Sequence, residues 1–386
     1  MPGGVDTFIR GLIKWAPEDI EFSLTGMTTD TGARPVGRWS QCDLGRKQFD
    51  FFPVVRVEEP GGRSRIPLSL RFTWGAARYH EACCGHFDIF EFHRVEPALL
   101  YLRDARPKNA FFHQDMGVIR NERKADILWR GLPAVYFVIE ARVMRSLSSA
   151  WCVREDGAES LRERYPFLAD HIHFVSTWVD AEVFFPLEEN ERRHMRAKIE
   201  GDLGLDSSAF RVISVGRLDW QKDPDLLLSA VGRVAASGAK IELLFVGDGV
   251  LRDGLERRVA EEGLAGKVRF LGLRGATEIA GLLQASDCFA LSSAYEGMPM
   301  AMLEALASGI PVVATPVGEV RRVIQNGRNG EVSNDRSLQS FGEELERVRA
   351  NLTHYSVDIC VRSIESYVPA KVLEPVYQNY RRIRMQ

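Results

Sequence analysis

Apolar residues in the second half of the chain come in short, nearly unbroken runs: FRVISVG (210–216), IELLFVG (241–247), VRFLG (268–272), CFALSS (288–293) and PVVAT (311–315). Runs without polar alternation predict strands covered on both faces, as in parallel sheets. Stretches with apolar residues at helical spacing separate them, so β and α units alternate. The first half reads the same way, less regularly. Its strand-like runs are FFPVVRV (51–57), FDIFEF (87–92), NAFFH (109–113), AWCV (150–153) and IHFVS (172–176). Between the halves, LEENERRHMRAKIEGDLGL (187–205) is polar and charged until Phe210. The pattern predicts an N-terminal Rossmann-like domain over 1–185, an inter-domain segment over 186–208 and a second Rossmann-like domain over 209–366. The tail, 367–386, reads as a helix that could fold back on either domain.

Composition narrows the classes. A chain of 386 residues, 45% hydrophobic and 27% charged, suits two globular domains. A net charge of −3 carries no nucleic-acid footprint. The six cysteines, Cys42, Cys83, Cys84, Cys152, Cys288 and Cys360, form no C-x-x-C pair. That argues against a zinc or disulfide framework and favours a reducing, cytoplasmic setting. No apolar run reaches the length of a membrane-spanning helix. Residues 118–145 carry six Lys/Arg against three Asp/Glu among aromatic and aliphatic residues. They predict a weak peripheral contact with an anionic membrane face.

Doubly wound sheets bind ligands at the carboxyl ends of their strands. There, FRVISVG runs into GRLDWQK, which puts Arg217 and Lys222 in the loop before Pro224, a residue suited to open a helix. Two cations beside a helix N-terminus make an anion site. FVGDG (245–249) is no dinucleotide fingerprint, because position 252 is Arg, and no P-loop occurs. Gly247 and Gly249 serve a tight turn or a close ligand approach. Gly3 and Gly4, ahead of an amphipathic run, are a second glycine pair of the kind that admits a phosphate or sugar. In AYEGMPMAMLEALASG (294–309), a helix opens at Pro299 and stops at Gly309, with Glu296 before it and Glu304 in its second turn. Five residues of helix, about 7.5 Å at ~1.5 Å per residue, separate Pro299 from Glu304. The free N–H groups of Gly297, Met298 and Met300 around Pro299 offer an anion seat between two carboxylates. A nucleotide sugar has that layout, with hydroxyls at both ends and a diphosphate between.

VGRLDWQKDPDLLLSA, FVGDGVLRDGL, VRFLGL, LLQASDCFALSSAYEGMPMAMLEALASGIPVVAT and NGRNGEV together resemble the retaining glycosyltransferases of family four. The resemblance covers nearly all of 210–333. It implies the GT-B fold, α/β with two Rossmann-like doubly wound domains facing across a cleft. It also implies a nucleotide-sugar donor and a glycan, lipid-linked or small-molecule acceptor, with no cofactor and no metal, in cell-envelope or exopolysaccharide synthesis. By resemblance, Arg217 and Lys222 hold the diphosphate, Glu296 with the Gly297–Met300 backbone holds the transferred sugar, and Glu304 holds the ribose. Gly3 and Gly4 stand where the family's glycine loop nears the donor phosphates. His113 stands where a family histidine contacts the donor sugar, and His93 lies near another strand end. Thr177-Trp178 replaces the commoner Asn-Gly of the inter-domain segment.

Two features depart from the family. Its acid after the PVG turn is crowded here into GEVRRV, with Glu319 the nearest carboxylate. Its glycine loop follows a first strand, whereas here Met-Pro-Gly-Gly stands with none before it. A longer reading frame supplying roughly ten to fifteen residues, an ordinary strand with its turn, is the expectation. Two other classes fit the architecture: a nucleotide-sugar epimerase or isomerase, and an inactive nucleotide-sugar-binding subunit. Assay with donor alone separates the first, and donor titration beside turnover the second.

Overall fold

The computed structural model describes residues 4–57, 66–113 and 133–385. Gly3 and residues 118–132, which make up about half of the basic stretch 118–145, lie outside them. Two compact units divide the chain: residues 2–176 with 372–386, and residues 177–371.

The first unit opens with helix α1 (Gly4–Lys14), which buries Phe8, Leu12 and Ile13. Strands β1 (Ser23–Thr28), β2 (Ser40–Leu44) and β3 (Lys47–Arg56) form a sheet of order β1-β3-β2. β1 runs parallel to β3, and β2 and β3 make an antiparallel hairpin. Neither β1 nor β2 was predicted; SLTGMT and SQCDL are too polar to read as buried strands. Strands β4 (Phe90–Phe92), β5 (Lys108–Phe112), β6 (Ser149–Cys152) and β7 (Ile172–Phe174) form a second sheet, parallel throughout, in that order. FDIFEF thus contributes only its last three residues to a strand. Helix α2 (Pro133–Met144) lies between β5 and β6 in sequence.

The second unit begins with the charged helix α3 (Glu189–Leu203). Strands β8 (Phe210–Val215), β9 (Ile241–Val246), β10 (Val268–Phe270), β11 (Cys288–Leu291), β12 (Val312–Ala314) and β13 (Gly330–Val332) form one parallel sheet. Alternate residues enter different cores: Ile213, Leu244, Phe289 and Val312 on one face, and Val212, Leu243, Phe245 and Cys288 on the other. Two buried faces explain why the strands read as unbroken apolar runs. Arg211, fully buried on β8, is offset by Glu200 and Glu242 at 3.2 and 3.4 Å. The short β13 escaped prediction because its three residues carry a central Glu331.

Sheet order is β10-β9-β8-β11-β12-β13. The chain steps outward from β8 one way and from β11 the other, so the order reverses between these neighbours. That reversal point, beyond their carboxyl ends, is where an open α/β sheet leaves a crevice. After the second unit, helix α6 (Glu374–Arg384) joins the first; α4 and α5 are described with the site. Tyr377 donates to the Leu12 carbonyl at 2.9 Å, and Asn379 Nδ2 donates to Ser149 Oγ at 2.9 Å. All six cysteines are free thiols, four of them buried.

Candidate functional site

The loops leaving β8 and β11 carry most of the predicted donor residues. After β8 the chain passes Gly216 and turns into helix α4 (Pro224–Ala236), with Pro224 as its first residue. Asp223 caps this helix by accepting from the Leu226 amide at 3.3 Å. It does so at φ +45°, a left-handed conformation uncommon outside glycine, while its other carboxyl oxygen pairs with Arg336. After β11 the chain runs through Ser292, Ser293 and Glu296 to Pro299, which caps helix α5 (Met300–Ala307). Gly309 ends that turn at φ +80°.

The two loops are stitched together. Ala294 N–H donates to the Gln221 carbonyl at 2.7 Å, and Ser292 Oγ donates to the Lys222 carbonyl at 2.9 Å. Lys222 Nζ forms a salt bridge with Glu296 Oε1, which also accepts from Ser293 Oγ at 2.7 Å. Glu296 is 8% exposed. Sequence reasoning gave Lys222 to the diphosphate and Glu296 to the sugar as separate groups; folding puts them in contact. Arg217, whose side chain is 68% exposed, reaches Asp219 at 2.9 Å and Gln221 at 2.9 Å. A small pocket lies here, lined by Gly216, Arg217, Lys222, Ser292 and Ser293 over Phe245. Asp219, Gln221 and Ser293 were not picked out in advance, because nothing in their spacing distinguishes them from solvated loop residues.

Gly247 is explained by the fold: a Cβ there would stand 1.9 Å from the Gly216 carbonyl oxygen. The FVGDG turn therefore presses backbone against the loop that carries Arg217 and Lys222.

Glu304 is on the second turn of α5, half-buried, with no side-chain partner among the described residues. The backbone N–H groups of Gly297 and Met298 likewise donate to nothing among those residues. Carboxylate and amides together can receive hydroxyls and an anion. Burial pushes the Glu304 pKa up to about 7. Between pH 4.5, its ordinary value, and about 7, the folded chain holds a proton that the unfolded chain has released. Wild-type stability therefore falls as pH rises through that window. Glu304→Gln removes the loss, so at pH 8 the variant is expected to be more stable by about 1–3 kcal/mol, and equal near pH 4.5. Denaturant midpoints at the two pH values check this; an equal difference at both would count against it.

Glu319 sits beyond the PVG turn. Its amide donates to the Gly297 carbonyl at 3.0 Å, and its carboxylate pairs with Arg322 at 3.1 Å. Thr177 Oγ1 donates to the Met298 carbonyl at 3.4 Å, while Trp178 and Val179 are buried.

In the first unit, His113 and His93 meet at the ends of β5 and β4. Their rings are joined at 2.8 Å, and His93 Nε2 reaches Glu91 Oε1 at 2.8 Å. Tyr380, from α6, donates to Glu91 Oε2. Desolvation, then His93 and Arg94, lower the His113 pKa to about 3, so its ring is neutral at working pH. Neither Glu91 nor Tyr380 was singled out. Tyr380 lies 289 residues from Glu91, and no local pattern could pair them.

No group of three His, Cys, Asp or Glu among the described residues is placed to hold a metal ion. No helix among them is long and apolar enough to cross a membrane.

Comparison with known proteins matches residues 195–354 to the family Glycosyl transferases group 1. The chain is 32% identical over 177 residues to mannosylfructose-phosphate synthase of Agrobacterium fabrum, covering 44% of this chain and 38% of that one. It is 31% identical over 179 residues to an Escherichia coli enzyme named UDP-Gal:alpha-D-GlcNAc-diphosphoundecaprenol alpha-1,3-galactosyltransferase, covering 46% and 45%. The aligned stretches thus span less than half the length of either relative. Among solved structures, sucrose-phosphate synthase from Thermosynechococcus elongatus superposes with a TM-score of 0.75 at 16% identity, over 99% of this chain and 94% of that one. That likeness bears out the expected GT-B fold class.

Proposed function

We propose, from the premise that residues 195–354 form a domain of the glycosyl transferases group 1 family, that this chain is a retaining glycosyltransferase using a nucleoside-diphosphate sugar. Its acceptor is a glycan, a lipid-linked sugar or a small molecule, and the reaction runs without a metal ion. The observation that carries the reading is the pocket at the sheet's reversal point, where Arg217 and Lys222 stand beside Ser292 and Ser293. Lys222 in turn contacts Glu296 on the neighbouring loop. The names of the matched relatives support sugar transfer, and one of them names a uridine-diphosphate donor and a lipid-diphosphate acceptor.

In this reading the diphosphate lies against Arg217, Lys222 and the free amides of Gly297 and Met298. Negative charge grows on the diphosphate as the sugar departs, and fixed cations and N–H dipoles stabilise it more in the transition state than in the ground state. Glu296, held by Lys222 and Ser293, accepts from hydroxyls of the transferred sugar. Glu304 accepts from the ribose hydroxyls. His113 is assigned to the donor sugar by the same resemblance.

Calorimetric titration with uridine diphosphate, beside transfer rates from labelled nucleotide sugars, tests this. Arg217→Ala and Glu304→Ala should each weaken uridine diphosphate by about ten- to hundredfold, the worth of one charge-assisted hydrogen bond. Glu296→Ala should leave that affinity unchanged or tighter, because Lys222 is released, yet cut transfer severely. A chelator should leave the wild-type rate unchanged. If Glu296→Ala loses uridine diphosphate as badly as Glu304→Ala, the sugar and ribose ends are wrongly assigned.

A further inference from the structure

Four polar side chains of the first unit are joined end to end: Tyr380, Glu91, His93 and His113. Tyr380 OH donates to Glu91 Oε2. Glu91 Oε1 lies 2.8 Å from His93 Nε2, and His93 Nδ1 lies 2.8 Å from His113 Nε2. With Glu91 ionised and both imidazoles neutral, proton bookkeeping along this chain has one solution. A carboxylate only accepts, so His93 Nε2 carries its hydrogen. A neutral imidazole has a single N–H, so His93 Nδ1 is bare and accepts from His113 Nε2–H. His113 Nδ1 is then bare in turn. The reverse direction requires an extra proton, on Glu91 or on His93.

Aromatic walls isolate the chain. Phe8 of α1 packs edge-on against both rings, at 5.1 Å from His113 and 6.1 Å from His93. Phe111 stacks on His93 at 5.2 Å with the planes 16° apart. With apolar faces on these sides, water cannot readily replace a lost partner, and the relay's hydrogen bonds are correspondingly hard to exchange.

We propose that Glu91 and His93 are positioning residues that hold His113 in its Nε2–H tautomer, leaving Nδ1 as a hydrogen-bond acceptor for a hydroxyl of the substrate. No other side chain among the described residues engages His113 Nδ1. A bare ring nitrogen selects a donor group such as a sugar hydroxyl and disfavours a phosphate oxygen, which would find no hydrogen there. The proposal rests on the assignment of His113 to the donor sugar, but the tautomer can be measured without turnover.

The experiment is ring-nitrogen NMR of the full chain labelled with 15N-histidine, at pH 8. The His113 and His93 signals are identified by their loss in His113→Gln and His93→Gln. Both rings should show a protonated Nε2 and a pyridine-type Nδ1. In Glu91→Leu, whose fold is checked by circular dichroism, His93 loses the group that fixes it, and His113 should average between tautomers. Transfer by Glu91→Leu should fall about tenfold, mainly in kcat, as for removal of a partner that orients a functional histidine. Uridine diphosphate affinity should stay at the wild-type value. A wild-type His113 protonated at Nδ1, or averaged over both nitrogens, overturns the proposal whether or not Glu91→Leu folds. A Glu91→Leu protein with an unshifted His113 or an undiminished rate also overturns it. Failure of the donor reading is a separate result: the wild-type chain would then bind no nucleoside diphosphate, while the spectrum still decides the tautomer.

Discussion

Lys222→Met is expected to lower kcat/KM for the proposed transfer by about a hundredfold or more and to destabilise the second unit by about 2–3 kcal/mol. The loss of stability follows from the contact with Glu296. The Lys222 side chain is 25% exposed and that of Glu296 only 8%, so removing the cation strands a largely buried carboxylate. Breaking a fully buried pair from one side costs about 3–5 kcal/mol, and the partial exposure of Lys222 sets the expectation below that range. Among the described residues, Ser293 Oγ would remain as the partner of the Glu296 carboxylate. Transfer suffers separately, because the ammonium proposed to meet the leaving diphosphate is gone. Adding Glu296→Gln separates the two effects. The double variant should recover most of the stability, since no charge is stranded, and none of the activity. Chemical denaturation and initial rates on the three proteins make the comparison. Recovery of transfer in the double variant would mean that Lys222 serves only to hold Glu296.

Gly318→Ala should reduce transfer about ten- to hundredfold and stability by about 2–4 kcal/mol, although residue 318 offers no functional group. Its φ is +50°, and an added Cβ would stand 2.2 Å from the Gly297 carbonyl oxygen and 2.4 Å from that of Glu296. Those are backbone atoms, so no rotamer change relieves the overlap. The loop carrying Glu296 must move, or the PVG turn must. The neighbouring links, Glu319 N–H to Gly297 O at 3.0 Å and Thr315 Oγ1 to Ser293 O at 2.7 Å, move with it. Displacement of a positioned group by about 1 Å can cost a hundredfold in rate. Gly327→Ala is the control. It too has a positive φ, +75°, but nothing lies within 4 Å of its added Cβ. It should lose only the conformational term, about 1 kcal/mol, and keep its activity. Thermal denaturation and transfer rates of the pair test the claim, and equal rates would show that the loop tolerates the shift.

Five of the six strands of the second unit's sheet, and its two covered faces, were legible because burial on both sides leaves a one-dimensional trace, an unbroken apolar run. Arg217, Lys222, Glu296 and Glu304 were legible for a related reason. Each stands a few residues beyond such a run or in the first turns of the helix that follows, so position along the chain nearly gives position at the sheet's edge. β1, β2 and β13 lacked the trace, because SLTGMT, SQCDL and GEV are short or partly polar and owe their strand form to the neighbours they pair with. Contacts between distant residues left no trace of any kind. The Lys222–Glu296 bridge joins residues 74 apart, and the Tyr380–Glu91 link closes only when the last helix returns to the first unit. The chain alone thus pointed to the candidate side chains and gave roughly where each stands on its element. Tertiary structure decided their partners, and so which carboxylate is bridged, which is left open, and which ring nitrogen is bare. Partner choice depends on angles and distances of a few tenths of an ångström between separate elements, and packing sets those after the hydrophobic pattern has placed the elements.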